Sequence, residues 1–367
     1  MRKTVFTNAL IFDGQSLYEN LTVVVENGLI TSFSSSADIS NADVIDSTGL
    51  TLLPGLIDAH IHLDNTPEGS PRLLFQLAKA GVTTALDMGL LNGHVRESFC
   101  THSGIADVRF AGNFATSTGS THSRFKMGTQ ASLVDSPEMA VSFVTDRIDE
   151  GADYIKIVAD IPGPSQEIVN ALAGEARKHG KLSVAHASRK AAFAMAQEGK
   201  VDIITHCPLD FPLDEAAAKL MKDEGRSCVP TLIMEQTMAN AKVFPGLNYA
   251  AAKESVTLLH KAGVPILAGT DANSSPMAAV KHGEALYEEL GLLVDAGLSN
   301  EEALRAATSL PAKWFRLEDR GMIAVGKRAD LLLVSGNPVE DIASMKNVTR
   351  VWVAGKEVAG KEVVREG

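Results

Sequence analysis

Eight short apolar or β-branched runs recur through the middle of this chain, at 55–62, 82–88, 107–114, 153–159, 182–187, 201–206, 228–233 and 264–270. Stretches of helical periodicity separate them, for example 72–80, 136–150, 166–179 and 189–198. Strands that alternate with helices form a parallel sheet covered by those helices. Eight such repeats predict the α/β class and a (β/α)8 TIM barrel. Gly81, Gly151, Gly180, Gly199 and Gly263 follow helical runs, where a left-handed C-cap is expected. The helix between the second and third runs is the weakest of the set.

The two ends of the chain read differently. Residues 21–25, 30–33 and 50–53 are strand-like, and so are 329–334, 349–353 and 357–358. Asn337-Pro338 and Ala354-Gly355-Lys356 supply turns. We therefore expect residues 1–53 and 320–367 to pair into a small β-sandwich domain formed from both termini. The barrel domain, 54–319, would be an insertion into it. A helical segment at 300–309, ending near Pro311, leads back to the β-rich end.

Composition narrows the partners. The net charge of -11 argues against nucleic acid or an anionic membrane as the main partner. A small-molecule substrate is the expectation. No run reaches the ~18 apolar residues of a membrane span. At the start, Thr7, Asn8 and Asp13 interrupt the apolar stretch, which reads as a strand and turn rather than a signal peptide. Cys100, Cys207 and Cys228 show no metal-finger or disulfide spacing, which fits a cytoplasmic setting.

Chemistry gathers at the C-terminal ends of the runs. His60-Ile61-His62 closes the first, and alternation along a strand turns both imidazoles to one side. Two such imidazoles are half of a metal site. Lys156, His186, His206 and Asp271 stand at the ends of later runs, the end of a barrel where catalysis is usual. Lys156 is the odd member. Beside a dication its ammonium must be neutral, point away, or be converted by carbon dioxide to an anionic carbamate. Cys207 follows His206, but alternation turns it away, so it reads as packing. Glu288-Glu289 reads as a solvated face.

These residues carry a resemblance. The chain is similar to the amidohydrolase superfamily, to its binuclear branch of imidazolonepropionase-like, prolidase-like dipeptidase and ochratoxinase-like members. The likeness runs through Leu53-Pro54-Gly55-Leu56-Ile57-Asp58-Ala59-His60-Ile61-His62-Leu63, Ala80-Gly81-Val82-Thr83-Thr84, Tyr154-Ile155-Lys156-Ile157, Gly269-Thr270-Asp271-Ala272, His282-Gly283, Gly326-Lys327-Arg328-Ala329-Asp330-Leu331 and Gly336-Asn337-Pro338. It implies two divalent metal ions. His60, His62 and Asp271 would hold the more buried ion, and His186 and His206 the more exposed one. Lys156, as a carbamate, would bridge them. Zinc suits so many imidazoles, though manganese, cobalt or iron could serve. A hydroxide bridging the metals would attack an amide or peptide C–N bond, with Asp271 as catalytic proton shuttle. Dipeptides or N-acyl amino acids are the favoured substrates. Hydrolysis of a cyclic amide, or of a lactone or organophosphate, is the alternative, and an inactive scaffold of the same fold is the non-enzymatic one.

Substrate contacts are expected from His122, Tyr154 and Arg189. His122 stands in Ser117-Thr118-Gly119-Ser120-Thr121-His122, where relatives often carry Thr-Gly-Gly-His. Tyr154 shares the face of Lys156, and Arg189 could bind a substrate carboxylate. The long loop 115–135 could cover the site. Relatives are often oligomers, and Gly291-Leu292-Leu293-Val294 could serve a homo-oligomer interface or the core.

Overall fold

A computed structural model describes residues 3–241, 245–276 and 278–358. Residues 1–2 and 359–367 of the expected terminal domain lie outside the described residues. The N-terminal part supplies β1 (Lys3–Thr7), β2 (Leu10–Phe12), β3 (Leu17–Tyr18), β4 (Thr22–Glu26), β5 (Leu29–Ser34), β6 (Ala42–Asp46) and β7 (Leu50–Pro54). The middle supplies β8 (Leu56–Ile61), β9 (Val82–Asp87), β10 (Asp107–Phe110), β11 (Ile155–Val158), β12 (Ser183–His186), β13 (Ile203–Thr205) and β14 (Ser227–Val229). The C-terminal part adds β15 (Leu331–Ser335), β16 (Val348–Val353) and β17 (Lys356–Glu357).

The strands of the two ends do pair. One sheet has the order β5-β4-β1-β6, and a second has the order β17-β16-β15-β7-β2-β3. In the second, β15 from the C-terminal part lies antiparallel to β7 from the N-terminal part. Phe6, Ile11, Val23, Leu52, Leu331 and Trp352 form one buried apolar cluster that joins the two sheets.

The middle strands form parallel sheets in the orders β10-β9-β8 and β11-β12-β13-β14. Hydrogen bonds link these sheets at both seams. At one, the Ala115 N–H donates to the Lys156 carbonyl at 2.8 Å, and the Val158 N–H donates to the Ala115 carbonyl at 2.8 Å. At the other, Leu267 N–H donates to Cys228 O at 2.8 Å and Ala59 N–H to Ala268 O at 2.9 Å. The run at 264–270 thus lies between β14 and β8 without being a regular strand. Pro265 has no N–H to give a ladder. Gly269 also passes so close to its neighbours that a Cβ there would lie 2.5 Å from Val229 Cγ1 and 3.0 Å from His60 Cβ.

The helices are α1 (Gly69–Lys79), α2 (Gly93–Phe99), α3 (Thr121–Arg124), α4 (Met139–Asp149), α5 (Gln166–Lys178), α6 (Lys190–Glu198), α7 (Glu215–Asp223), α8 (Leu232–Ala241), α9 (Tyr249–Lys261), α10 (Ala285–Asp295), α11 (Asn300–Ala306) and α12 (Ser309–Trp314). Their apolar faces, such as Leu73 and Leu77 of α1 and Val169 and Leu172 of α5, pack on Ala85, Ile155, Ile157 and Ile204 of the strands. A separate cluster gathers Ile57, Leu86, Tyr154, Val184, Ile203, Val229 and Leu267 with Phe315 and Leu317. The strands are therefore apolar on both faces, as parallel strands under helices must be.

Several local expectations are corrected. The seventh run stops at Val229, and Leu232 and Ile233 already belong to α8. The 300–309 helix divides at Ala306, and Pro311 lies in the first turn of α12, where a missing N–H costs little. Gly199 keeps a right-handed φ of -67°, and Lys200 takes the left-handed turn instead, at +55°. Of Gly291-Leu292-Leu293-Val294 in α10, Leu293 is fully buried and the other three are half-buried.

Candidate metal centre

His60, His62 and Asp271 converge. Their ligand atoms all lie within 4.8 Å of one another. Asp271 Oδ1 is 3.1 Å from His62 Nε2 and 3.4 Å from His60 Nε2. His60 and His62, two residues apart, turn to the same side as alternation predicts, although the pairing of β8 with β9 shifts register between Asp58 and Ile61. His60 is buried, while His62 stays one-third exposed.

The imidazoles continue as a row. The His60 and His206 ring centroids lie 5.0 Å apart, those of His206 and His186 4.3 Å, and those of His186 and His122 4.7 Å. His186 ends β12, and His206 directly follows β13. His206 and Asp271 adopt left-handed backbone, at φ +75° and +55°. That conformation costs a side-chain-bearing residue free energy and gathers at functional sites. Lys156 is buried in β11, and its Nζ donates to Thr205 Oγ1 at 2.8 Å.

The electrostatics suit a cation. Burial, then the charge of Lys156, holds His60 well below the usual imidazole range; burial and neighbouring groups do the same for His186 and His206. Neutral imidazoles keep the lone pair that a metal needs. Burial lowers Lys156 to about 7, against the pull of Asp271. A free amine is the form that reacts with carbon dioxide. Burial also raises Asp58 to about 7 and Asp87 to about 6, although backbone N–H groups donate to both. His60 Nδ1 is buried without a hydrogen-bond partner. The donor set therefore fits a divalent ion.

Around this core, Asp58 accepts from the Thr270 N–H at 3.0 Å and the Thr270 hydroxyl at 2.7 Å, tying β8 to the Asp271 segment. His282 Nε2 lies 2.9 Å from the His62 carbonyl. His122, on α3, is 3.6 Å from Asp160 Oδ2, so the 115–135 loop does bring an imidazole to the row. Burial raises the Asp160 carboxyl, but His122, His186 and Thr121 outweigh it and leave it below the usual range.

Of the other two expected substrate contacts, Tyr154 is bound within the strands. The Tyr154 hydroxyl donates to Asp87 O at 2.8 Å and to Arg109 O at 3.2 Å, and its ring packs edge-on against Phe315. Arg189 is exposed at the N-cap of α6.

The model of the Amidohydrolase family matches residues 51–358. The chain belongs to that family. It is accordingly a hydrolase acting on carbon–nitrogen bonds, in a family that generally binds divalent metal ions. It is 25% identical to an imidazolonepropionase of Idiomarina loihiensis, covering 88% of this chain and 87% of that one. A Xaa-Pro dipeptidase structure with bound methionine in its active site superposes with a TM-score of 0.86 at 25% identity, over 98% of this chain and all of that one. A prolidase complexed with N-methylphosphonate-L-proline gives a TM-score of 0.79 at 27% identity, over 98% and 100% of the two chains. The structures it superposes on are amidohydrolase-fold proteins, of the TIM-barrel type.

Other residues of this amidohydrolase site were missed in the sequence. Thr205, Thr231, Glu235 and Glu289 touch the candidate ligands or their supports. Glu289 is not on a solvated face; it is fully buried and accepts the N–H groups of Leu232 and Ile233. The available signal was that Ala285, Leu286, Leu292 and Leu293 stand three and four positions from Glu289, which puts it on the apolar side of the helix. Cys207 is buried in packing beside Cys228, as expected. Among the described residues no helix is long and apolar enough to cross a membrane.

Proposed function

We propose that the chain is a divalent-metal-dependent hydrolase that cleaves the amide or peptide C–N bond of a small molecule, with a dipeptide or N-acyl amino acid as substrate. The observation that carries this is the convergence of His60, His62 and Asp271, continued by the imidazoles of His206 and His186. Its setting would be an eight-membered (β/α)8 barrel, residues 54–319, inserted in a terminal β-sandwich domain of residues 1–53 and 320–367. The hydrogen bonds at both sheet seams support that reading.

His60, His62 and Asp271 would hold one ion, and His186 and His206 a second, with Lys156 as a carbamate between them. Zinc is the favoured ion for such a set. Bound ions would supply Lewis acidity toward the scissile carbonyl and acidify a water molecule. Asp271 takes the proton of the attacking water and hands it to the leaving nitrogen, so that water adds across the C–N bond to give an acid and an amine. His122, beside His186, would meet the substrate.

Relatives at 25–27% identity that cleave dipeptides favour the peptide reading. The imidazolonepropionase at 25% identity favours a second reading, hydrolysis of a cyclic amide. Metal content by elemental analysis, with turnover of dipeptides, N-acyl amino acids and cyclic amides on the same sample, tests both. Bound metal with peptide cleavage that a chelator abolishes is the expected result. Ring opening alone would move the assignment to the second reading, and absence of metal and turnover after reconstitution would overturn both.

A further inference from the structure

Behind His206 stands a buried acid that the proposed reaction does not use. Glu235 is 2% exposed, and its Oε1 lies 3.0 Å from His206 Nδ1. Thr231 Oγ1 lies 2.8 Å from the same nitrogen and 3.5 Å from Glu235 Oε1. His206 Nδ1 therefore meets two oxygens of one short segment. Nε2 is the ring nitrogen left over for the imidazole row. We propose that Glu235 is a positioning residue: it holds the Thr231 hydroxyl, the hydrogen-bond partner of His206 Nδ1, and with it fixes the tautomer and ring angle that present Nε2 as a metal donor. This rests on the metal-dependent reading above, since His206 is a ligand only in that reading.

The chain spends free energy to put Glu235 there. Thr231 sits between the end of β14 and the start of α8 with φ +50°. A β-branched residue is a genuine outlier in that region. The turn starts α8 at Leu232, and Glu235 falls in its first turn. Glu289 of α10 then anchors the same turn, accepting the Leu232 N–H at 3.0 Å and the Ile233 N–H at 2.7 Å. A buried carboxyl group whose two oxygens take the free N–H groups at a helix start is a directional contact. The order of support runs from α10 through α8 to Glu235 and then to His206. A carboxyl oxygen accepts the Thr231 O–H whether or not the other oxygen is protonated, so the arrangement does not depend on the charge of Glu235.

Outer partners of this kind orient a ligating imidazole, and their loss costs about 10–100-fold in metal affinity. The test is cobalt(II) titration of metal-free protein, followed by visible absorption and by competition with a chelator, without turnover. Wild type, Glu235→Ala and Glu235→Gln are compared. Glu235→Gln keeps an oxygen acceptor at nearly the same volume; Glu235→Leu, which keeps the bulk and removes the acceptor, takes the place of Glu235→Ala in every outcome below if Glu235→Ala does not fold. We expect Glu235→Ala to weaken one of the two binding steps by about 10–100-fold, to change the cobalt absorption, and to leave the other step as in wild type. Glu235→Gln should recover part of the loss. Wild-type binding and spectra in folded variants would overturn the positioning role alone. Equal weakening of both steps with a lowered melting temperature would also overturn it, in favour of general destabilisation. Failure of the wild type itself to bind cobalt would overturn the metal-centre reading and this inference with it.

Discussion

Asp271 is bound to His60 twice over: its N–H donates to the His60 carbonyl at 2.7 Å, and its carboxylate lies 3.4 Å from the His60 imidazole. The backbone bond fixes the distance between two segments far apart in sequence. The side chains then inherit that distance. A site built on paired backbone is held more tightly than one built on loops.

Asp271→Asn keeps the backbone bond and a neutral oxygen donor but loses the base. We expect metal to be retained and kcat to fall by about 10²–10⁴-fold. Elemental analysis and steady-state kinetics on one preparation check this. Near-normal kcat would remove Asp271 from proton transfer.

Lys156→Ala removes the buried Nζ that reaches Thr205. We expect loss of bound metal and of turnover, with partial recovery on adding a short carboxylate such as acetate. A fully active, metal-replete Lys156→Ala protein would refute the bridging role.

Gly269→Ala places a Cβ 2.9 Å from the His60 nitrogen and 2.5 Å from Val229 Cγ1. Backbone cannot yield cheaply there. Overpacking of this kind costs about 1–3 kcal/mol, and the displacement falls on His60. Urea unfolding and metal affinity should both decline. Unchanged values would mean that the segment after α9 gives way freely.

Burial raises Glu289 from 4.5 to about 8, despite the N–H groups of Ile233 and Leu232. Between those values the unfolded chain has released this proton and the folded chain still holds it. The contribution of Glu289 to stability is therefore full at low pH and is lost as pH rises toward about 8. Glu289→Gln should flatten that part of the stability–pH profile of the metal-free protein. Equal slopes for the two proteins, by urea unfolding across this range, would contradict the assignment.

Much of the site is legible because its signals are local. A His-x-His at the end of an apolar run, and single His or Asp residues closing later runs, follow from strand chemistry and need no knowledge of neighbours. Tyr154 marks the limit of that reasoning. It lies two residues before Lys156 and joins the cluster of Ile57, Leu86 and Val184, as alternation suggests. At about 3.3 Å per residue, however, it sits a full repeat lower on the strand. Alternation gives the face and is silent on the depth.

The sequence alone determined the α/β alternation, the pairing of strand-rich ends and the six candidate ligands, because each is written in periodicity or in short contiguous motifs. Only the tertiary structure decided that the Asp271 segment pairs with the end of β8 and so brings its carboxylate to His60 and His62. The same is true of Thr231, which turns α8 so that Glu235 reaches His206, and of Glu289, which is buried rather than solvated. These contacts join residues from different strands and helices. Their geometry is set by packing and by backbone strain at single positions, and neither leaves a periodic trace in the chain.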